Sequence, residues 1–120
     1  MGDLGYGVGG IAAALVPRVE RIMGLEPERW QRWENFQRQH PNLSFLQESV
    51  ENLSLADAGK DVVISNQVCE HVPVHQRLMN ETHRVLKTGG SLFSHAYGEC
   101  YIHLTRKTRL ALYWSRLCDL

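Results

Sequence analysis

The chain opens with the stretch that decides its fold, Met1-Gly2-Asp3-Leu4-Gly5-Tyr6-Gly7-Val8-Gly9-Gly10, which is followed by an apolar run over residues 11–16. An acidic residue precedes glycines at alternate positions. This order is typical of a strand that ends in a tight glycine turn and continues into a helix. Glycine suits such a turn because the backbone must bend sharply and approach a ligand where a Cβ would be in the way. The stretch therefore predicts a loop that binds a nucleotide cofactor.

Length and charge limit the classes of protein that this chain can belong to. Its 120 residues suffice for one domain, which we expect to span residues 1–120. Thirteen basic residues balance thirteen acidic ones, so no net field attracts nucleic acid or an anionic membrane, and neither partner is expected. A basic cluster at Arg106, Lys107 and Arg109 is interpreted as a solvated helix face, with a partner site as the alternative.

The cysteines indicate the compartment. Cys69, Cys100 and Cys118 are odd in number and show no CxxC spacing. This pattern argues against a disulfide framework and favours a reducing environment. No apolar run approaches the roughly 18 residues of a membrane span, and no signal segment opens the chain. We therefore expect a cytoplasmic protein.

Strand and helix patterns alternate along the chain. After the first strand, further strands are predicted at residues 19–25, 43–47, 61–65 and 91–96, and helices at residues 11–16, 27–39, 74–87 and 103–117. Such alternation predicts an α/β fold, a Rossmann-like, doubly wound, mostly parallel sheet of about five strands.

Particular residues set the limits of these helices. Pro17 should end the first helix, Pro27 suits the first turn of the second, and Gly89-Gly90 should cap the third. Trp30, Trp33 and Phe36 recur three apart in the second helix, and this aromatic stripe is interpreted as core packing.

The glycine loop alone leaves the cofactor open. Gly5-x-Gly7-x-x-Gly10 also satisfies the dinucleotide fingerprint. Glu26, about twenty residues further along, suits the ribose hydroxyls of NAD and of S-adenosylmethionine alike. An NAD-binding oxidoreductase fragment is therefore one alternative.

Five segments in order resemble the class I S-adenosylmethionine-dependent methyltransferases, especially the small-molecule group called type 11. The segments are residues 3–9 (DLGYGVG, similar to DLGxGxG), 24–26 (GLE, similar to GVD), 45–53 (FLQESVENL, similar to FxxGDAExL), 61–72 (DVVISNQVCEHV, similar to DVVxSNxVxEHV) and 84–90 (RVLKTGG, similar to RVLKPGG). The resemblance implies methyl transfer from S-adenosylmethionine to a small-molecule acceptor, which the sequence does not identify.

The resemblance also implies the cofactor contacts. The glycine loop would surround the methionine portion, the end of the second strand would hold the ribose, the segment after the third strand would meet the adenine edge, and the end of the fourth strand would lie beneath the methionine portion. The residues that would contact the methionine portion are Asp3, Gly5, Tyr6, Gly7 and Gly9. Glu26 and Pro27 would contact the ribose, and Ser49 and Val50 would contact the adenine. Asn66 and Gln67 would lie beneath the methionine portion. Methyl transfer from a sulfonium is a direct displacement, so alignment is required rather than a catalytic triad or a metal.

The chain departs from the family pattern at several places. Ser49 stands where the family usually has an aspartate, and the loss of charge assistance predicts cofactor binding weaker by about 1 kcal/mol. Thr88 replaces a proline. Two residues precede Asp3, and one predicted helix follows the fifth strand, so we expect an incomplete methyltransferase fold, trimmed at both ends. Bare sheet edges then predict a homo-oligomer. A non-catalytic module, either a cofactor-binding remnant or an assembly subunit, is the alternative function.

His71 is the candidate for a catalytic group. It would act as a general base on an acceptor hydroxyl or amine, with ordinary structural hydrogen bonding as the other interpretation. Cys69, Glu70, His71 and His75 resemble a metal set, but Val72-Pro73 interrupts any shared helix face, and no metal is expected.

Overall fold

The computed structural model describes residues 1–5, 7, 9–96 and 100–105, with the backbone alone for residues 96 and 100–105. Within these residues, six strands form one sheet. The strands are β1 (Gly2–Leu4), β2 (Ile22–Glu26), β3 (Leu43–Gln47), β4 (Lys60–Asn66), β5 (Leu86–Ala96) and β6 (Cys100–Thr105). The helices are α1 (Gly10–Leu15), α2 (Arg32–Gln39) and α3 (His75–Val85), with 3₁₀ turns at Val16–Arg18 and Cys69–His71.

The strand order is β3-β2-β1-β4-β5-β6. Strands β1 to β5 pair in parallel, and β6 pairs antiparallel to β5. The chain moves outward from β1 through β2 to β3 and then returns to place β4 on the other side of β1. The strand order therefore reverses between β1 and β4, where open α/β sheets bind their ligands. The predicted α/β, Rossmann-like sheet with five parallel strands is confirmed.

Two hydrophobic clusters cover opposite faces of the sheet. On β2, Ile22 and Leu25 lie three residues apart and therefore point to opposite faces. Ile22 belongs to the first cluster, which we call the α1-side cluster: Ala12, Val16, Ile22, Trp33 and Leu43. Leu25 belongs to the second, the α3-side cluster: Leu4, Leu25, Val50, Leu53, Val63, Val68, Cys69, Val72, Leu78, Met79, Val85, Leu86 and Leu92.

The third helix, predicted at residues 74–87, is observed as α3 (His75–Val85). Leu78, Met79, Thr82 and Val85 are all buried on α3. None of the helices within the described part of the chain has the length and apolar character that a membrane span requires.

The second helix begins later than predicted. It starts at Arg32 rather than at Pro27. Residues 27–31 instead cross the end of the sheet, where the Gln47 side chain donates to the Pro27 carbonyl over 3.2 Å. The predicted aromatic stripe is accordingly split: Trp33 is buried and Phe36 packs on the α1-side cluster, whereas Trp30 precedes the helix and is exposed.

The predicted glycine cap is wrong. Helix α3 ends at Val85, and Gly89-Gly90 lies inside β5. Lys60 pairs with Leu86, and Val62 already pairs with Ser91, so residues 87–90 form an irregularity in the ladder. Gly89 adopts a φ of +84° there, a value that glycine tolerates best.

The end of the chain also differs from the prediction. Residues 103–105 do not begin a helix, because they belong to β6, which pairs along β5 from Ala96↔Cys100 to Ser91↔Thr105. The edge of the fifth strand is therefore covered, and the expectation that it is bare is wrong. Tyr101, Ile102 and Thr105 are residue types that favour strands, and pairing satisfies the backbone groups of β5. The remainder of the predicted helix, the basic cluster and Cys118 lie outside the described residues.

Candidate cofactor site

A cavity of about 370 Å³ lies where the carboxyl ends of β1, β2 and β4 meet. Its volume falls within the range of roughly 300–1,000 Å³ that is usual for small-molecule sites. Its lining comprises Gly5, Glu26, Pro27, Ser49, Val50, Glu51, Gln67, Val68, His71, Val72 and Pro73.

Two larger hollows, of about 590 and 530 Å³, lie at the opposite edge of the sheet near Met1, Arg21 and Lys60. They flank the amino ends of the strands. Ligands of open α/β sheets bind outside the carboxyl ends, at the point where the strand order reverses. The smaller cavity is therefore the candidate site, because it lies at the carboxyl ends of the strands and the two larger hollows do not.

The structure brings together the predicted residues from four separate segments. Those that line the cavity are Gly5, Glu26, Pro27, Ser49, Val50, Gln67 and His71. Asp3, Gly7, Gly9 and Asn66 lie outside its lining. Tyr6 falls outside the described residues.

Gly5 forms the first turn after β1. Its N–H donates to the Leu25 carbonyl over 2.9 Å, which ties the loop to β2. Its φ is +66°, and a Cβ built on it would collide with the Val68 side chain. This position therefore requires glycine both for its backbone conformation and for its close approach to the segment after β4.

The Glu26 carboxylate is held by the glycine loop. Glu26 is the last residue of β2, as predicted, and its Oε2 accepts from the Gly7 N–H over 3.0 Å. The Gly7 carbonyl in turn accepts from Trp33 Nε1 over 3.1 Å. Trp33 stacks on Phe45, with ring centroids 4.9 Å apart. The carboxylate at the cavity wall is thus fixed through the loop to a buried aromatic pair. The sequence gives no signal for this use of Trp33, because the contact joins residues 26 positions apart.

Gly9 and Asp3 shape the loop from beyond the cavity. Gly9 has a φ of 99° and precedes α1, and its carbonyl accepts from the Ala13 N–H over 3.1 Å. Asp3 is the middle residue of β1, between Gly24 and Ile64 of the neighbouring strands. It is 3% exposed, and burial raises the pKa of its carboxyl to about 7.

A compact turn follows β3 and forms another wall of the cavity. The Ser49 Oγ accepts from the Glu51 N–H over 3.3 Å, and the Ser49 carbonyl accepts from the Asn52 N–H over 3.1 Å. Val50 is buried in the α3-side cluster. Glu51 lines the cavity, and its Oε1 is buried without a hydrogen-bond partner among the described residues. Glu51 was missed as a site residue, although it belongs to the segment 45–53 that carries the resemblance.

The loop after this turn is fastened to α3 by a clamp, formed by Glu81 and Arg84. The Arg84 guanidinium donates to the carbonyls of Leu53 and Leu55 over 2.8 and 2.7 Å, and to Asp57 Oδ1 over 2.7 Å. It also pairs with Glu81, whose Oε2 accepts from the Leu53 N–H over 2.8 Å. The hydrogen bonds between Glu81 and Arg84 lower the pKa of Glu81 and raise that of Arg84. The clamp therefore fixes a loop that has no regular secondary structure.

The end of β4 supplies the last wall. Gln67 lines the cavity with a φ of 56°, and its N–H donates to the His95 carbonyl over 2.7 Å. The Asn66 Oδ1 lies 3.0 Å from His95 Nδ1. A non-glycine residue in this conformation is strained, and such strain often occurs at binding sites. His71 is exposed on the 3₁₀ turn and lines the cavity.

No group of three metal-ligating side chains occurs within residues 1–5, 7 and 9–95. Cys69 lies instead 3.8 Å from the Ser94 Oγ, in the α3-side cluster.

A family model described as a methyltransferase domain matches residues 2–94, which include every segment of the cavity wall. The chain belongs to the methyltransferase-domain family. This membership agrees with the resemblance noted above, and it favours S-adenosylmethionine over NAD as the cofactor.

Curated relatives share the same domain. The methyltransferase domain is 33% identical to arsenite methyltransferase of Rattus norvegicus, in an alignment that covers 96% of this chain and 38% of the relative. It is 36% identical to an uncharacterised methyltransferase of Mycobacteroides abscessus, over 73% of this chain and 36% of that protein. The chain therefore spans little more than a third of the length of these relatives.

Solved structures show the same fold. The YcgJ protein of Bacillus subtilis superposes with a TM-score of 0.73 at 25% identity, covering 78% of this methyltransferase domain and 42% of that chain. A putative sarcosine dimethylglycine methyltransferase of Galdieria sulphuraria gives 0.72 at 28%, covering 78% and 37%. The [4+2]-cyclase SpnF also gives 0.72, at 22% identity over 78% and 36%, and that likeness concerns the fold alone.

Proposed function

We propose that this chain forms the cofactor-binding part of an S-adenosylmethionine-dependent methyltransferase that acts on a small-molecule acceptor. The observation that carries the proposal is the cavity at the carboxyl ends of β1, β2 and β4, where Glu26, Ser49 and Gln67 converge from separate segments. The match of residues 2–94 to the methyltransferase-domain family and the names of its relatives support methyl transfer.

The residues of the cavity fit the cofactor in their chemistry. Glu26 offers carboxylate oxygens to ribose hydroxyls, and its position is already fixed by the Gly7 N–H. The turn of Ser49 and Val50 forms the wall for the adenine, and the glycine loop with Gln67 encloses the methionine portion. Asp3, Gly9 and Asn66 belong to the same proposal as residues that shape the loops around the cofactor, with Pro27 beside Glu26 in the cavity wall. Tyr6 belongs to it as a cofactor contact that the resemblance implies.

The bound cofactor supplies a methyl group on a positively charged sulfur. The chain has to hold the acceptor in line with that methyl group, since positioning provides most of the acceleration in a displacement of this kind. His71 is exposed at the cavity and can accept a proton from an acceptor hydroxyl or amine.

Calorimetric titration with S-adenosylhomocysteine tests the cofactor site. We expect micromolar binding by the wild-type chain, weakened about tenfold to a hundredfold in Glu26→Ala, because a charged hydrogen-bond acceptor is lost. Glu28→Ala is the matched control, since Glu28 is exposed two residues further along and lies outside the cavity lining. Absence of binding to the folded wild-type chain would contradict the proposal.

The alternative is a non-catalytic module that binds the cofactor without turnover. Transfer of a labelled methyl group to a panel of small acceptors distinguishes the two functions. Binding of S-adenosylhomocysteine together with transfer to an acceptor supports the enzyme.

We further propose a homo-oligomer in a reducing compartment, the cytoplasm. Strand β3 is the outer strand on one side of the described sheet, so its free edge offers backbone groups to a neighbouring copy. The three cysteines of the sequence show no CxxC spacing, a pattern that favours a reducing compartment. Light scattering checks the assembly, and a monomer at all concentrations would refute it.

A further inference from the structure

A hollow at the amino ends of the strands has an uneven charge. Its volume is about 530 Å³, within the range of roughly 300–1,000 Å³ that is usual for small-molecule sites. We call it the amino-end hollow, and its lining includes Arg21, Met23, Asn42, Ser44 and Lys60. Among the described residues that line it, the charged side chains are those of Arg21 and Lys60, and both are basic.

The Lys60 ammonium lacks the counter-ion that buried charges usually have. Lys60 is the first residue of β4, and its side chain is half-buried. Its Nζ lies 4.0 Å from the Met23 Sδ, which is a weak acceptor, and no carboxylate of the described residues forms an ion pair with it. Burial lowers the pKa of this ammonium. An anion in the hollow would supply the missing counter-ion, since charges removed from water require a partner.

Two further donors face the same hollow from neighbouring strands. Arg21 immediately precedes β2, and within the described part of the chain no carboxylate is paired with it. Ser44 lies on β3 beside Met23 and offers a hydroxyl. A guanidinium, an ammonium and a hydroxyl are the side-chain groups that bind phosphate oxygens, and two positive charges match a doubly charged anion.

The negative groups nearby are already compensated or lie to one side. Glu20 and Asp61 line the adjoining hollow of about 590 Å³. The Asp61 carboxylate pairs with Lys87 Nζ over 2.8 Å. The Asn42 amide donates to the Val16 carbonyl over 3.1 Å, so this helix-end carbonyl is already hydrogen-bonded. The positive charge of the amino-end hollow is therefore not offset from its own walls.

We propose that the amino-end hollow is an anion site that binds a phosphate group, free or on a small phosphomonoester, between Lys60 and Arg21. The guanidinium donates to two phosphate oxygens in parallel, the ammonium adds the second positive charge, and the Ser44 hydroxyl donates from β3. The hollow lies at the opposite edge of the sheet from the cofactor cavity. Phosphate and cofactor therefore do not compete, and the inference does not depend on the proposed function.

NMR titration of the isotope-labelled chain tests the site, with inorganic phosphate in one series and glycerol phosphate in the other. Sodium chloride holds the ionic strength constant, because salt screens non-specific attraction. We expect saturable shifts of the Lys60 and Ser44 signals. The dissociation constant should rise at least about tenfold in Lys60→Met and in Arg21→Met, since each variant loses a charged donor. Arg77→Met is the matched control, because Arg77 is exposed on α3 and lies outside the lining of the hollow, and this variant should keep the wild-type affinity.

The outcomes also identify the source of the phosphate group. Saturation by inorganic phosphate alone supports a site for the free ion, and saturation that includes glycerol phosphate supports a site that admits phosphomonoesters. Shifts of the wild-type chain that grow without saturation in both series overturn the proposal. A folded Lys60→Met chain with wild-type affinity also overturns it, and this variant should fold because an apolar replacement of a poorly paired, half-buried charge is often neutral or stabilising. Failure to bind S-adenosylhomocysteine would contradict the proposed function and leave this result unchanged.

Discussion

Replacement of Arg84 by methionine tests whether the clamp holds the loop at residues 53–57. Methionine keeps a long apolar stem but removes every donor of the guanidinium. The variant loses the hydrogen bonds to the carbonyls of Leu53 and Leu55, the pair with Asp57 and the pair with Glu81.

The two carbonyl contacts dominate the expected cost. A hydrogen bond that involves a charged group contributes about 1.5–3 kcal/mol, so two give about 3–6 kcal/mol. The Asp57 carboxylate is 77% exposed, and such a surface pair adds at most about 1 kcal/mol. Because the Arg84 side chain itself is 30% exposed, water replaces part of what is lost. We therefore expect the free energy of unfolding to fall by about 3 kcal/mol, at the lower end of the range.

Urea denaturation with linear extrapolation measures this loss. Arg29→Met is the control, because Arg29 pairs with Glu34 through side chains that are 64% and 59% exposed. Its expected cost is below about 1 kcal/mol. Hydrogen exchange should show faster exchange at the Leu53 amide in Arg84→Met alone. If the two variants differ by less than about 0.5 kcal/mol, the clamp does not hold the loop.

Three further predictions concern the glycine loop and β1. Gly5→Ala should lower the free energy of unfolding by about 2–4 kcal/mol in urea titrations, because the new Cβ combines a positive φ with a collision against Val68. Gly7→Ala should cost only about 1–2 kcal/mol, because the space around its Cβ position is open. Equal losses in the two variants would contradict the close approach at Gly5. Burial raises the pKa of the Asp3 carboxyl in the folded state to about 7, above the unfolded value of 3.8. The folded state therefore holds this proton more tightly than the unfolded state does. The free energy of unfolding of the wild-type chain should fall as the pH rises from about 4 to 7, by up to about 1.4 kcal/mol per pH unit. Asp3→Asn should remove that slope in urea unfolding at a series of pH values, and an unchanged slope would exclude Asp3 as its source. Trp33→Phe keeps an aromatic ring but loses the donor to the Gly7 carbonyl. The free energy of unfolding should therefore fall by about 1 kcal/mol, and S-adenosylhomocysteine should bind severalfold more weakly in calorimetry. Undiminished affinity would show that the glycine loop does not need this hydrogen bond.

The sequence predicted those strands whose signals lie in neighbouring residues. The third strand was expected at residues 43–47 and is observed at Leu43–Gln47. The β-branched run at residues 61–65 forms the core of β4. Glu26 was placed correctly at the end of β2, because a strand that ends at a turn and a proline is a pattern of neighbouring residues.

Contacts between distant residues could not be predicted in the same way. The clamp of Arg84 on the carbonyls of Leu53 and Leu55 spans 31 and 29 positions, and nothing in a single sequence pairs them. Likewise, residues 103–105 were assigned to a helix, although Tyr101, Ile102 and Thr105 are residue types that favour strands. Pairing along β5 decides between the two, and that pairing is a property of the assembled sheet.

The cavity joins the two hydrophobic clusters that pack on opposite faces of the sheet. Its apolar wall, with Val50, Val68 and Val72, belongs to the α3-side cluster, whereas Glu26 is tied through Gly7 to Trp33 of the α1-side cluster. A ligand that contacts both walls would act as a non-covalent cross-link between the two faces of the sheet. The elements packed on the two faces would then open together, and binding would raise the cooperativity of unfolding as well as its free energy.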